Sequence, residues 1–156
     1  MIWSDIVIVK FKNNITREFI QTCISELTFP KFWLSDESDI SDTYAILIND
    51  TLVGFIEFQI ENYKNGRRYA NIAMFEILNK YRGRGFGRLI VSELFKQFRL
   101  VTLYGESANI AIQFWYRLGA NFDMSDEKLC KYLNQGYSAS FKLTKNSFKQ
   151  CNVMLM

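Results

Sequence analysis

The run Ile6-Val7-Ile8-Val9-Lys10-Phe11 is short and β-branched, and it predicts a first strand. The spacing then changes. Phe19, Ile20, Cys23, Ile24 and Leu27 recur three and four residues apart, which predicts a helix from Thr16, with Glu18 close behind, through about Leu27. Pro30, the only proline, interrupts this pattern, and Lys31 to Asp42 reads as a short helix or turn followed by a loop. Tyr44 to Ile48 and Leu52 to Ile60 read as strands joined by a hairpin at Asn49-Asp50-Thr51. Lys64-Asn65-Gly66 signals a second hairpin, since Asn-Gly supplies the positive φ angles of a type I′ turn.

Tyr69 to Leu78 is apolar on both faces: Ala70, Ile72, Met74 and Leu78 alternate with Ala73, Phe75 and Ile77. That pattern predicts a strand in the middle of a sheet, covered on both sides. A glycine-rich loop follows, then a helix from Gly87 to about Arg99 with Ile90, Leu94, Phe95 and Phe98 inward. Val101 to Gly105 reads as a buried strand, and Ala108 to Leu118 as a helix apolar almost all round, ended by Gly119. Past Phe122 the pattern weakens to a helical stretch at Glu127 to Leu133 and a last strand at Tyr137 to Leu143. An antiparallel meander followed by strand–helix–strand–helix is an α+β fold, a mixed sheet with a parallel strand pair near its middle and helices on both faces.

Length and composition narrow the picture. A chain of 156 residues, 49% hydrophobic and 16% aromatic, is expected to form one domain over residues 1–156. No histidine is present, so the commonest general base and metal ligand is missing, and no metal is expected. Cys23, Cys130 and Cys151 are odd in number and far apart, which suits buried thiols in a reducing compartment. No apolar run approaches membrane-spanning length and no signal-peptide pattern opens the sequence, so a soluble cytoplasmic protein is expected, with no membrane partner. A formal charge of +3 does not by itself argue for nucleic acid, and no RNP-type or helix-turn-helix pattern supports such a partner. The distribution says more: Asp36, Glu37, Asp39 and Asp42 make one loop acidic, whereas Lys80, Arg82, Arg84 and Arg88 make another basic.

The basic loop is Arg82-Gly83-Arg84-Gly85-Phe86-Gly87. A strand, a loop of glycines and a helix start make an anion site, because the backbone N–H groups converge and the helix dipole adds positive charge. With arginines between the glycines, the fitting guest is a polyphosphate; the plain alternative is a solvated basic turn. A P-loop is excluded, for no Gly-Lys is followed by Ser or Thr. The dinucleotide fingerprint fits worse than it first looks. Glu106 ends a strand about 20 residues after Gly83, but the glycines lack G-x-G-x-x-G spacing and too little chain follows for a doubly wound sheet.

Arg82, Gly85 and Gly87 match the R/Q-x-x-G-x-G/A signature of the GCN5-related N-acetyltransferase (GNAT) superfamily. Ile77-Leu78-Asn79-Lys80-Tyr81 resembles that family's strand and entry loop, and Phe114-Trp115-Tyr116-Arg117-Leu118-Gly119-Ala120 resembles its F-Y-x-x-L-G-F ending. The match spans about residues 70 to 122 and departs in two places. Counted back from Leu118-Gly119, the tyrosine position holds Trp115; counted forward from Asn109 as the family's asparagine, it holds Tyr116. Ala120 stands where phenylalanine is usual.

The resemblance implies an acyl-CoA-dependent N-acyltransferase that moves an acetyl group from acetyl-CoA to a primary amine by direct attack. It places the pantetheine arm along the strand ending at Ile77 and Leu78, with a backbone N–H near Ile77 facing the developing oxyanion. A slot would open where this strand parts from Val101–Gly105. Arg82, Gly83, Arg84, Gly85, Phe86, Gly87 and Arg88 would hold the phosphates, and Asn109 would join the cofactor side. Tyr116 could protonate the leaving thiolate or simply pack beside Phe114 and Trp115.

Glu76 shares a strand face with Ile72, Met74 and Leu78; it could be a base, its pKa raised by apolar neighbours, or a strand-end carboxylate paired with an arginine. Glu57 is the second candidate base, on the face with Val53, Phe55, Gln59 and Glu61 that turns polar along the strand, as a wet face does. The acceptor is expected to be a small-molecule or peptide amine. Phe32-Trp33 followed by Asp36, Glu37, Asp39 and Asp42 would suit a cationic one, and a solvated acidic loop is the alternative. A monomer or homodimer fits equally. The competing function is a non-catalytic acyl-CoA sensor or interaction module of the same fold.

Overall fold

The computed structural model describes residues 5–10, 20–34 and 42–154. Six strands form one sheet in sequence order: β1 (Ile6–Lys10), β2 (Thr43–Ile48), β3 (Thr51–Asn62), β4 (Arg68–Ile77), β5 (Leu100–Ser107) and β6 (Ala139–Thr144). β1, β2 and β3 run antiparallel, and β5 pairs with β6 antiparallel. β4 and β5 are the parallel pair, in register from Arg68↔Leu100 to Ile72↔Gly105. The helices are α1 (Pro30–Leu34), α2 (Phe86–Gln97), α3 (Ile112–Arg117), α4 (Asp126–Gln135) and α5 (Lys145–Met154). This is the mixed α+β sheet that the apolar pattern predicts.

The described residues form two compact units, those within 1–59 with 73–94, and those within 60–72 with 95–156. In the first, Ile20, Trp33, Phe55 and Leu78 are fully buried together, with Leu27, Leu52, Met74 and Tyr81 packed against them. Each such side chain contributes about 1.5–3 kcal/mol by leaving water. In the second, Leu100, Leu103, Leu118 and Leu143 are buried, and Trp115 stacks on Phe141 at 4.2 Å.

Several elements differ from their sequence expectation. The helix foreseen from Thr16 to Leu27 is helical over residues 20–22 and then tightens into a 3₁₀ turn at Ile24–Glu26, while its expected start lies outside the described residues. Pro30 opens α1 and does not end a helix, because a first helical position needs no N–H and favours a fixed φ. The type I′ geometry belongs to Asn49-Asp50, with φ of 50° and 64°. At the other hairpin only Gly66 is left-handed, at φ 83°, and its N–H donates to Tyr63 O. β4 is interior to the strand order, yet Asn71 and Ala73 are exposed, for an interior position pairs both edges of a strand without covering both faces. The C-terminal helix α5 was not foreseen. Thr144 Oγ1 caps it by accepting the Ser147 N–H at 3.1 Å, and Phe148 anchors it on Phe95. Among the described residues, no helix is long and apolar enough to cross a membrane.

Candidate active site

The loop after β4 is set from the core beneath it. Leu78 is buried and its N–H donates to Val53 O at 2.8 Å, so the chain leaves the strand in a fixed direction. A 3₁₀ turn over Asn79–Tyr81 follows, and the Lys80 N–H donates to Glu26 Oε2 at 3.0 Å. Tyr81 packs on the Ile20–Trp33 cluster. The cations of Lys80 and Arg84 lie 5.4 and 5.8 Å from the centre of its ring.

Gly83 and Gly85 then take left-handed φ of 75° and 79°, and α2 begins at Phe86. A Cβ on either glycine would meet nothing within 4 Å. The conformation, not crowding, requires glycine here. Among the described residues, no backbone hydrogen bond outside regular elements uses the N–H of Gly83, Arg84 or Gly85. The first-turn N–H groups of α2 have no intrahelical acceptor either. An exposed run of N–H donors on left-handed glycines at a helix N-terminus fits a pyrophosphate.

Arg82 is committed elsewhere. Its Nε donates to Ile77 O at 2.8 Å and its Nη2 lies 3.4 Å from Glu76 Oε2. Arg82, one of the arginines expected near the phosphates, thus ties the loop to the strand through these two contacts. Arg84 is exposed and Arg88 half-buried, both within the loop and the first turn of α2.

Glu76 is 4% exposed. Its Oε2 accepts the Thr28 N–H at 2.8 Å, and its Oε1 accepts the Phe29 N–H at 2.7 Å and the Trp33 indole N–H at 3.1 Å. With Arg82 this makes four donors around one carboxylate. Trp33 is wholly buried, so it is not the open aromatic face imagined beside the acidic loop. Residues 35–41, with Asp36, Glu37 and Asp39, lie outside the described residues. Asp42 accepts from Gln59 Nε2 at 2.8 Å. Glu57 is 5% exposed on β3, opposite Thr43, and not on a wet face.

The second unit holds the other expected residues. Asn109 opens a 3₁₀ turn before α3 and is half-buried. Trp115 is 4% exposed and Tyr116 is 50% exposed, so the helix turns the indole into the core and the phenol outward. Tyr116 Oη donates to Asp126 Oδ2 at 3.5 Å.

The sequence profile of the Acetyltransferase (GNAT) family matches residues 11–120. The chain belongs to that family. Solved GNAT-like structures share its fold at low identity. Arabidopsis thaliana Naa50, in complex with a bisubstrate analogue, is 17% identical with a TM-score of 0.58, over 89% of this chain and 98% of that one. The Bacillus subtilis N-acetyltransferase YlbP, in complex with coenzyme A, is 18% identical with a TM-score of 0.57, over 91% and 98%. The PaiA N-acetyltransferase of Thermoplasma acidophilum, also with coenzyme A, is 15% identical with a TM-score of 0.56, over 90% and 99%. No curated protein matches the chain by sequence.

Within this GNAT chain, the arginine partner expected for Glu76 is Arg82, and the residues that sequence reasoning missed are its other three partners. Thr28 and Phe29 act through backbone N–H groups, which carry no residue signature. Trp33 alone gave a signal, for a buried indole N–H needs an acceptor.

Proposed function

We propose that the chain is a single acyl-CoA-dependent N-acyltransferase domain that acetylates a primary amine, small-molecule or peptide. The observation that carries this reading is the exposed stretch Gly83-Arg84-Gly85, whose N–H groups make no backbone hydrogen bond among the described residues and whose two glycines have Cβ positions that open onto space, directly before the start of α2. Gly83, Arg84, Gly85, Phe86 and Gly87 would hold the pyrophosphate of acetyl-CoA through the backbone, with Arg84 and Arg88 adding charge. Leu78 contributes packing only, since its N–H is spent on Val53. Neighbouring residues of a strand point their N–H groups to opposite sides, which leaves that of Ile77 for the oxyanion.

Acetyl-CoA supplies an activated thioester. The amine nitrogen bonds to its carbonyl carbon, the C–S bond breaks, the nitrogen gives up a proton to solvent, and the thiolate takes one. Tyr116 is the proposed donor of that proton, because its phenol faces outward whereas Trp115 fills the core. Asn109 is proposed on the cofactor side. Glu76 takes the structural alternative. Both of its oxygens already accept hydrogen bonds, so it positions Thr28, Phe29 and Trp33 against the loop and is not free to take the amine's proton.

The test is incubation with acetyl-CoA, a pooled amine library and a thiol reagent. Thiol release that depends on an acceptor establishes the enzyme; tight CoA binding with no release for any amine establishes a sensor. Tyr116→Phe should lower kcat by about one to three orders of magnitude with CoA affinity kept. A loss no larger than that of Phe114→Leu removes Tyr116 from the chemistry.

A further inference from the structure

The second unit contains a cleft of about 600 Å³ that shares no residue with the glycine loop. Tyr63, Lys64 and Arg67, from the turn between β3 and β4, line one side; Thr144 and Lys145, where β6 passes into α5, line another. Val101 and Thr102, near the start of β5, also line it.

Three cations therefore converge on one opening. Among the described residues, none of Lys64, Arg67 and Lys145 forms an ion pair. The N-terminus of α5, a helix of ten residues, opens beside them. Thr144 satisfies only the Ser147 N–H, which leaves those of Lys145 and Asn146 without an intrahelical acceptor.

Thr102 supplies an independent sign. It is 4% exposed, and among the described residues its hydroxyl has no hydrogen-bond partner. It pairs in register with Tyr69 on one side and Thr144 on the other. Residues two apart on a strand share a face, so Thr102 shares that of Tyr104. The Tyr104 hydroxyl meets that of Tyr63, a wall of the cleft, at 2.6 Å. The lone hydroxyl thus faces the cleft, and native proteins rarely bury such a group unpaired. The Tyr63 ring and Val101 add an apolar surface beside these donors.

We propose that this cleft binds a phosphate monoester carrying a flat apolar group. Lysine and arginine charges, helix N–H groups and a hydroxyl are the donor set that a dianionic phosphate takes up. The Tyr63 ring offers a face for the flat group.

The proposal is tested on the full chain with phenyl phosphate as probe, followed by calorimetry and amide chemical shifts. Shifts centred on Lys145 and Asn146, unchanged when CoA is added, are the expected result. Lys64→Ala with Lys145→Ala should raise Kd about tenfold or more, and benzoate, a monoanion, should bind about tenfold more weakly than phenyl phosphate. Thr102→Val, equal in shape, should weaken binding yet raise the melting temperature of the free protein by removing an unpaired buried hydroxyl. Displacement of the probe by CoA, equal affinity in the double variant, or benzoate binding as tightly as phenyl phosphate would each overturn the proposal. A Thr102→Val protein that melts lower would also count against it. These outcomes are independent of whether acyl transfer is observed.

Discussion

Two stretches of the first unit treat their polar groups in opposite ways. Around Glu76 every donor is spent: two backbone N–H groups, an indole and a guanidinium surround one buried carboxylate. A few residues on, Gly83, Arg84 and Gly85 are exposed, and among the described residues their N–H groups make no backbone hydrogen bond. The first arrangement is how a protein tolerates a buried charge. The second is an arrangement that an anion, once bound, would complete. Ionisable residues near a family motif are natural suspects for chemistry, but residue type alone does not reveal the difference in partner count between Glu76 and the loop.

The contrast can be broken at its strongest point. Glu76→Ala would strand three N–H donors and Arg82, and should destabilise the fold by about 3–5 kcal/mol in urea denaturation. A change below about 1 kcal/mol would mean that Glu76 is not the knot described. Next comes the open stretch. Gly85→Asp puts a carboxylate among the loop N–H groups and should weaken CoA binding about 100-fold, read by calorimetry, in a protein that stays folded. Unchanged affinity would remove the loop from phosphate binding.

The glycines sharpen the comparison. A Cβ on Gly54 would sit 2.2 Å from Glu76 O, so Gly54→Ala should cost about 2 kcal/mol by overpacking. Gly85→Ala meets only its left-handed φ and should cost about 1 kcal/mol. Equal thermal shifts in the two variants would erase the distinction between a packed and an open glycine.

The smallest effect lies in the second unit. The Tyr104 phenol is pushed up from 10.0 to about 12, chiefly by its hydrogen bond to Tyr63 and then by burial. The folded form holds this proton more tightly than the unfolded one. Its contribution to stability is therefore complete below about pH 10 and is lost as pH rises to about 12. Tyr63→Phe should bring Tyr104 ionisation, followed by phenolate absorbance, back toward 10; no movement would assign the rise to burial alone.

Much of the fold was legible because it rests on short-range pattern. Strand alternation located β2 to β6 to within a few residues, and the loop glycines announced their own conformations. The rest depended on distant partners. Nothing near Glu76 in the chain hints that Thr28 and Phe29, almost 50 residues earlier, will donate to it. α5 begins Lys145-Asn146-Ser147 and carries little apolar rhythm, so only its cap at Thr144 could have marked it. Trp115 and Tyr116 adjoin in sequence, and burial alone tells them apart.

The tie between Arg82 and Glu76 carries an evolutionary consequence. The family signature admits Arg or Gln at position 82. A Gln could still donate to Ile77 O, but it has no charge to set against Glu76. Substitution at 82 is therefore not free to drift alone. Across the lineage of this chain, a carboxylate at 76 and a guanidinium at 82 should be gained and lost together, and Glu76→Gln should make Arg82→Gln more tolerable than it is in the parent background.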